Sequence, residues 1–262
     1  MQIKDKVFIV TGGGNGIGRQ VVLQLLARGG RVAAADLNAD ALEETRALAG
    51  AGDSLTTHVV DVADNDAVLQ LPLAVQQAHG QLDGLVNVAG IIHRFAPLAE
   101  LTRPELERIV NINFWGAVNT TLAVLPILRE RPAAIVVNVS SLSALLAFAG
   151  QGFYGATKGA LKQFSEALFE ELHDTNVAVT TVFPGNISTN ISGNSGVTMI
   201  DTGDRKVRAT TPEQTAREIA EGIEKNSFRV VIGSDARLLD RLSRLAPKRA
   251  ALIIAKQMKS VM

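Results

Sequence analysis

The stretch Val-Phe-Ile-Val-Thr-Gly-Gly-Gly-Asn-Gly-Ile-Gly, residues 7–18, joins a short apolar, β-branched run to a glycine-rich turn. Beyond the turn, apolar residues recur at helical spacing: Ile17, Val21, Val22, Leu25 and Leu26. This order predicts a strand, a turn and a helix. Backbone N–H groups at the start of such a helix attract an anion, and larger side chains would block its approach. The turn could be merely tight, but this context favours a phosphate-binding site.

A carboxylate follows the next predicted strand. The apolar run 31–35 ends at Asp36, about 20 residues after the glycine turn. An acid there accepts hydrogen bonds from both hydroxyls of an adenosine ribose and repels a 2′-phosphate. Neither Asn15 in the turn nor Leu37 after the acid supplies a cation for that phosphate. We therefore predict NAD as the cofactor, with NADP less favoured.

Strands and helices alternate along the rest of the chain. Helical patterns cover residues 38–48, 63–78 (with Pro72 as a point of kinking or restart), 102–125, 154–173 and the stretch from 211. Strands are predicted over 7–10, 31–35, 55–60, 82–88, 133–139, 177–183 and 230–232. We predict an α/β fold, with residues 1–262 forming a single Rossmann-type domain. Its core would be a doubly wound parallel sheet of about seven strands with helices on both faces.

Composition excludes several classes of function. The chain has 26 basic and 26 acidic residues, which argues against a general nucleic-acid-binding protein. It has no cysteine, which excludes disulfides, thiolate catalysis and Cys-ligated zinc. The four histidines have no metal-ligand spacing, and His93 is expected on a solvated loop or at the edge of a pocket. The charged N-terminus lacks an apolar signal core, so a cytoplasmic location is expected.

Two segments near the C-terminus stand apart in composition. Residues 186–210 include a long stretch rich in Gly, Ser, Thr, Asn and Asp, and predict a flexible substrate lid. Residues 237–262 carry seven Lys or Arg against one acid, Asp240, with an apolar face predicted from Leu238, Leu239, Leu242 and Leu245. We expect this basic segment to pack on the body or on a second subunit. Contact with a membrane surface is the alternative.

Polar residues end five of the predicted strands. The carboxyl ends of parallel strands meet at one edge of a sheet, where ligands of such folds bind. These strand-end residues are Thr11, Asp36, Asp61, Asn87 and Ser141.

Ser141 precedes the only tyrosine of the chain, Tyr154, and Lys158 lies four residues beyond it. On a helix, Tyr154 and Lys158 would share a face, with the ammonium within reach of the phenol. A nearby cation lowers the pKa of a phenol from about 10, so Tyr154 is predicted to exchange a proton near neutral pH. Ser141 could bring a hydroxyl group to the same place.

With these residues assembled, the chain resembles the short-chain dehydrogenase/reductase (SDR) family along nearly its whole length. The turn Thr-Gly-x-x-x-Gly-x-Gly at residues 11–18 matches the family's cofactor turn. Asn-Val-Ala-Gly at residues 87–90 is similar to its Asn-Asn-Ala-Gly motif, with valine in the second place. Pro184-Gly185 and Thr189 match the segment beside the nicotinamide. The resemblance also implies that Asn87 and Val139 lie near the cofactor and that Asp61 and Val62 contact the adenine.

The catalytic motifs of the family are also matched. Asn113, followed by Gly116, fits the active-site asparagine, whereas Asn111 does not fit that spacing. The resemblance implies that Ser141 holds the substrate oxygen and that Tyr154 passes a proton to or from it. Lys158 would lower the pKa of the phenol and bind the nicotinamide ribose, and Asn113 would anchor a water leading to Lys158. The predicted cofactor-binding residues are Gly12, Asn15, Gly16, Ile17, Gly18, Asp36, Leu37, Asp61, Val62, Asn87, Ala89, Gly90, Tyr154, Lys158, Pro184, Gly185, Ile187 and Thr189.

The resulting prediction is an oxidoreductase that transfers a hydride between NAD(H) and a secondary alcohol or ketone. The substrate pocket is expected around residues 91–97, 142–153 and 186–210. Its apolar side chains favour a neutral, hydrophobic substrate, although Arg94 could bind a carboxylate. The alternatives are an NADP-dependent carbonyl reductase of the same fold and a non-catalytic NAD(H)-binding protein. The resemblance also implies a homodimer or homotetramer, formed through the helices that carry Asn113 and Tyr154.

Overall fold

A computed structural model of the chain describes residues 1–189, 191–197 and 209–258. A parallel sheet of seven strands in the order β3-β2-β1-β4-β5-β6-β7 runs through these residues. The strands are β1 (Val7–Thr11), β2 (Arg31–Asp36), β3 (Leu55–Val59), β4 (Gly84–Asn87), β5 (Ala134–Val139), β6 (Val177–Pro184) and β7 (Arg229–Ile232). Strand β1 lies inside the sheet, with Val10 beside Ala34 of β2 on one side and Val86 of β4 on the other. The predicted α/β, Rossmann-type sheet is confirmed.

Helices cover both faces of the sheet. They are α1 (Gly16–Ala27), α2 (Ala39–Ala49), α3 (Asn65–His79), α4 (Arg103–Val110), α5 (Gly116–Arg129), α6 (Gly152–Leu172), α7 (Ile191–Ser195), α8 (Pro212–Glu224), α9 (Ser234–Leu245) and α10 (Pro247–Met258). Alternate residues of β1 face opposite sides of the sheet. Phe8 and Val10 pack in the layer of α1 and α8, whereas Val7 and Ile9 pack in the layer of α3, α5 and α6. Burying each such side chain stabilises the fold by about 1.5–3 kcal/mol.

Two helices differ from their predicted form. Helix α3 runs through Pro72 without a break, because Val68, Leu71 and Val75 are buried on its inner face. That packing offsets the roughly 3 kcal/mol that an interior proline costs. The helix predicted over 102–125 is instead α4 and α5, joined by a π-helical turn at Asn111–Trp115. In this turn the Gly116 N–H donates to the Asn111 carbonyl, five residues back.

The two ends of the predicted lid are hydrogen-bonded to each other. Ile187 and Thr210 form a parallel bridge, and the Ser188 N–H donates to the Thr210 carbonyl at 3.0 Å. Between them lies the short helix α7, which the composition had not indicated. Residue 190 and residues 198–208 of the predicted lid lie outside the described residues.

The predicted basic segment forms two helices, α9 and α10, which contact each other. Its expected apolar face is only partly covered, since Leu239 and Leu242 are half-buried whereas Leu238 and Leu245 are exposed. The buried apolar side chains of α9 and α10 are instead Ala236, Ala250 and Ile254. Residues 259–262 lie outside the described part. Within the described part, no helix combines the length and apolarity needed to cross a bilayer.

Candidate active site

The carboxyl edge of the sheet brings the predicted polar residues together. Thr11, Asn87 and Asn138 are adjacent across β1, β4 and β5. The Thr11 hydroxyl accepts hydrogen bonds from the Val88 and Ala89 N–H groups, at 3.1 and 3.3 Å. The sheet therefore fixes the backbone that follows β4 directly beside the glycine turn.

Asn87 joins this edge to a buried network that sequence reasoning missed. Its amide nitrogen donates to the Asn138 amide oxygen at 2.9 Å, and the Asn138 amide nitrogen donates to the Ser165 hydroxyl at 2.9 Å. Its amide oxygen accepts from the Thr120 hydroxyl at 2.8 Å. Buried amides without partners are costly, so this satisfied network fixes β4, β5, α5 and α6 relative to one another. The available sequence signal was one asparagine in the otherwise apolar strand β5.

The glycine turn is shaped by close backbone approaches. Gly12 has φ +70°, and a Cβ there would lie 2.9 Å from the Ala89 nitrogen. A Cβ at Gly18 would lie 1.9 Å from the Gly12 carbonyl oxygen, a distance that no side chain can adopt. The side chain of Asn15 makes no capping hydrogen bond to α1, so it leaves the first-turn N–H groups for another acceptor. The turn has the form required to hold a phosphate.

Asp36 lies beside this turn at the end of β2. Its Oδ2 accepts from the Gly14 N–H at 2.9 Å, and its Oδ1 accepts from the Asn38 N–H at 3.0 Å. Each carboxylate oxygen has a second lone pair, so Asp36 retains acceptors for a ligand's hydroxyl groups. These hydrogen bonds hold the carboxylate in a defined orientation at the edge of the sheet.

A cleft of about 570 Å³ extends along this edge. Twelve predicted cofactor-binding residues line it: Gly12, Asn15, Gly16, Ile17, Gly18, Asp36, Leu37, Asp61, Val62, Ala89, Gly90 and Thr189. Seven further residues line it that were not predicted to bind the cofactor: Asn38, Val60, Val88, Ile91, Arg108, Ile112 and Ile191. The length of the cleft from Asp36 to the residues after β4, with its glycine cradle, fits a dinucleotide such as NAD(H).

Six predicted cofactor residues do not line this cleft. Asn87 lies in the buried network, and Ile187 forms the bridge to Thr210. Pro184 ends β6, and Gly185 packs against α9, where a Cβ would lie 2.7 Å from the Asp235 carboxylate. Tyr154 and Lys158 lie at one end of α6, in a group of polar side chains with Ser141.

The Ser141 hydroxyl lies close enough to the Tyr154 phenol to lower its pKa. Ser141 directly follows the carboxyl end of β5, and Tyr154 lies in the first turn of α6. Lys158, one turn further along α6, is buried and donates from Nζ to the Val139 carbonyl at 2.9 Å. The two hydroxyl groups and the amine thus occupy one end of α6.

Asn113 connects this group to the cleft. A Cβ at Gly90 would lie 3.2 Å from both the Asn113 Oδ1 and the Lys158 Nζ, so both atoms border Gly90. Asn113 Oδ1 accepts from the Ile91 N–H at 2.8 Å, and its Nδ2 donates to the Ile91 carbonyl at 2.9 Å. The π-helical turn carries Asn113, and such turns are frequent at functional sites. Asn111 belongs to the same turn, but only Asn113 is fully buried.

Comparison with known proteins decides the family. The sequence model of the short chain dehydrogenase family matches residues 6–199. The chain belongs to the short-chain dehydrogenase/reductase family. It is therefore an oxidoreductase that acts on CH–OH groups. The relatives and structures below agree with this assignment.

Two similar SDR relatives come from bacteria. The chain is 36% identical over 252 residues to the oxidoreductase SadH of Mycobacterium tuberculosis, covering 92% of this chain and 91% of that protein. It is 34% identical over 206 residues to 3beta-hydroxysteroid dehydrogenase 2 of Eggerthella lenta, covering 78% of each protein.

Two solved structures share the SDR fold. An SDR of Burkholderia phymatum in complex with NAD is 22% identical, with a TM-score of 0.84 and coverage of 95% of this chain and 96% of that chain. A short chain dehydrogenase of Burkholderia cenocepacia in complex with NADP is 23% identical, with a TM-score of 0.82 and coverage of 97% and 99%.

The pKa of Tyr154 corrects one expectation for this SDR protein. Burial raises the pKa of the phenol above its ordinary value of 10.0, and the nearby Ser141 hydroxyl opposes this rise. Burial also lowers the pKa of Lys158 to about 8. The predicted net lowering of the phenol pKa is therefore wrong for the chain alone, because desolvation outweighs the opposing effect of Ser141.

Lys158 is expected to make the free energy of unfolding depend on pH. Its pKa is about 8 in the folded chain against an ordinary value of 10.5, so the unfolded chain binds this proton more tightly. The folded state is thereby penalised below about pH 8 by about 3 kcal/mol, and the penalty disappears as the pH rises towards 10.5. Urea unfolding of the native chain and of Lys158→Met at several pH values measures this contribution.

The expected result is a rise in stability between about pH 8 and pH 10 that Lys158→Met lacks. Lys225→Met is the matched control, because Lys225 is exposed on the surface beside Glu221 and its loss should leave the rise intact. Equal pH slopes for the native chain and Lys158→Met would contradict the lowered pKa, because they would show that the amine binds its proton equally well in the folded and unfolded chains.

Proposed function

We propose that the chain transfers a hydride between NAD(H) and a neutral, hydrophobic secondary alcohol or ketone. The observation that carries this proposal is the group formed by Ser141, Tyr154 and buried Lys158 at one end of α6, beside a cleft that is lined by the Asp36 carboxylate. A protein that only binds NAD(H) needs the cleft but has no use for the three polar side chains.

Each side chain has a role in the proposed mechanism. The Ser141 hydroxyl holds the substrate oxygen, and the Tyr154 phenol gives that oxygen a proton during reduction or its phenolate removes one during oxidation. Lys158 contributes positive charge that would favour the phenolate and would hold the nicotinamide ribose, and Asn113 would support a water that leads to Lys158. NAD(H), when bound, supplies or accepts the hydride.

The substrate is proposed to occupy a second cavity beside the first. This cavity has a volume of about 480 Å³. Its walls combine the apolar side chains of Ile91, Ile92, Phe95, Ile109 and Val197 with His93, Arg94, Glu105, Arg108, Ser195 and Gly196. His93 is buried here, so the expectation of a solvated loop is wrong.

Arg94 is committed within the protein. Its Nε donates to the Glu105 carboxylate at 2.8 Å, and its guanidinium also donates to the Glu100 carbonyl. The charge of Arg94 is thus already balanced by Glu105, which weakens its attraction for a carboxylate on the substrate and supports a neutral substrate.

A substrate screen tests the proposed reaction. Secondary alcohols and ketones are added to the chain while NADH absorbance is followed, with NADPH measured in parallel. Hydroxysteroids belong in the screen because one relative is named as a 3beta-hydroxysteroid dehydrogenase. Conversion of carboxylated substrates alone would overturn the proposed substrate class, and binding of NADH without any turnover would support the non-catalytic alternative.

The preference for NAD is proposed to depend on Asp36. Replacing Asp36 with alanine is expected to lower the ratio of kcat/KM for NAD over NADP by roughly 100-fold, because two charge-assisted hydrogen bonds to the ribose are lost and the repulsion of a 2′-phosphate disappears. Asp53→Ala removes an exposed carboxylate elsewhere and should leave the ratio unchanged. A native chain that turns over faster with NADP would contradict this assignment.

We further propose a cytoplasmic homodimer or homotetramer. The resemblance suggests pairing through the helices around Asn113 and Tyr154, and two large apolar side chains in this region support it. Trp115 and Leu122 are 50% and 55% exposed on the π-helical turn and α5. Sedimentation equilibrium of the intact chain measures the number of subunits, and a monomer would exclude this part of the proposal.

A further inference from the structure

The helices α9 and α10 (residues 234–258) are called here the C-terminal helix pair, and they expose several large apolar side chains. Leu238, Leu245 and Leu252 are 67%, 86% and 61% exposed, and Ile253 is also exposed. The buried face of the pair is supplied instead by Ala236, Ala250 and Ile254. Removing these exposed side chains from water is favourable, so the helix pair is suited to an apolar partner.

Basic side chains alternate with these leucines. Arg241 lies three residues after Leu238 and four before Leu245, which puts all three on one face of α9. Helix α10 carries exposed Lys248, Arg249 and Lys256. The pattern of exposed leucines bordered by cations is that of helices that lie in a membrane interface.

These cations lack acidic partners where the structure can be described. Arg237 pairs with Glu218 at 2.8 Å, and Arg244 pairs with Asp240 at 3.1 Å. Over residues 1–189, 191–197 and 209–258, no ion pair involves Arg241, Lys248, Arg249 or Lys256. The whole chain has no net charge, so the positive charge of this face is offset by acids elsewhere on the molecule.

Two of these cations also oppose the dipole of their own helix. Lys248 and Arg249 lie in the first turn of α10, which contains no acidic residue. Cations at a helix N-terminus are destabilising, so they do not serve the stability of α10. Together with the exposed leucines, they indicate that this face meets an anionic surface.

We propose that the C-terminal helix pair docks the protein on a bilayer that contains anionic lipids. The leucines enter the boundary between headgroups and acyl chains, while Arg241, Lys248, Arg249 and Lys256 meet the lipid phosphates. A second copy of the chain fits this face less well. Symmetric pairing would bring the same cations opposite one another, and like charges repel across an interface.

Vesicle sedimentation tests the proposal with the full-length protein. Vesicles of phosphatidylcholine alone and of phosphatidylcholine with 30% phosphatidylserine (about one anionic lipid in three, to give a strong surface potential) are mixed with the chain at low and high salt. The protein is expected to bind the anionic vesicles at low salt and to be released as salt rises. The triple variant Arg241→Ala, Lys248→Ala, Arg249→Ala is expected to bind roughly 100-fold more weakly.

A second pair of variants separates the apolar contribution from charge. Leu245→Gln with Leu252→Gln should weaken binding to the same vesicles at least about tenfold, since two apolar side chains no longer enter the interface. Leu48→Gln, on exposed helix α2, is the matched control and should bind as the native chain does. Circular dichroism of each variant shows that the fold is retained.

Three results would overturn the proposal. The first is equal binding of neutral and anionic vesicles, or binding of neither. The second is a change of oligomeric mass in the leucine variants without any vesicle binding, which would assign the face to a second copy. The third is tighter binding to a DNA duplex than to anionic vesicles, which would assign the cations to nucleic acid.

Discussion

Replacement of Tyr154 by phenylalanine is expected to lower kcat by between about 100-fold and 10,000-fold, because the substrate oxygen then has no group with which to exchange a proton. Phenylalanine preserves the ring and its packing in the first turn of α6. The change removes one oxygen, which lies close to the Ser141 hydroxyl. Single-turnover measurements with the best substrate of the screen give the loss directly.

Binding of NADH distinguishes a chemical role from a structural one. Tyr154 does not line the cleft, so Tyr154→Phe should bind NADH with nearly native affinity by fluorescence titration. Its thermal unfolding temperature should also remain close to native. Turnover within a factor of a few of the native chain would remove Tyr154 from the mechanism and with it the proposed catalytic group.

Replacement of Gly18 by valine is expected to weaken NADH binding by more than about 100-fold, because the new side chain collides with the turn that holds the phosphates. A Cβ at this position would lie 1.9 Å from the Gly12 carbonyl oxygen and 3.2 Å from the Gly13 nitrogen. The start of α1 must therefore move away from the turn, and its first N–H groups lose their alignment with the cleft. Fluorescence titration with NADH measures the effect.

The control for Gly18 lies on another helix. A Cβ at Gly159 of α6 meets no atom within 4 Å, so Gly159→Ala should retain NADH affinity. It should also stabilise the helix by about 0.5–1 kcal/mol, since alanine is the better helix former. If Gly18→Val does not fold, Gly18→Ala provides a smaller version of the same collision. Native NADH affinity in folded Gly18→Ala would argue that the phosphates bind elsewhere.

Local patterns predicted most of the sheet and its ligand-facing edge. Strand β1 and helix α1 follow from residues 7–26, where the hydrophobic period changes from strand to helix at the glycines. The position of Asp36 at the edge follows because it ends the next apolar run, and the structure has it there with two backbone hydrogen bonds. These features are encoded within a few residues of each other, so a single sequence suffices to find them.

Features that depend on distant contacts were not predictable. The Asn138–Ser165 hydrogen bond joins residues 27 positions apart, and neither residue belongs to a local polar pattern. The uninterrupted path of α3 through Pro72 depends on burial against the sheet, and the raised pKa of Tyr154 depends on its desolvation. Apolar spacing likewise predicted one covered face for α9, whereas only the folded chain reveals that Leu238 and Leu245 point to solvent.

The π-helical turn has a consequence for how substrate preference can diversify. Through both its amide oxygen and its amide nitrogen, Asn113 holds the peptide group of Ile91 as a neighbouring strand would. The loop that begins at Ile91 is thereby anchored at its root by one side chain, independently of the residues further along it. Mutations beyond that root can reshape the wall of the proposed substrate cavity while Ser141, Tyr154 and Lys158 keep their positions. A deletion within residues 111–115 would replace the π-helical turn with ordinary helical winding. The Asn113 amide would then rotate away from the peptide group of Ile91, and the loop would lose its anchor.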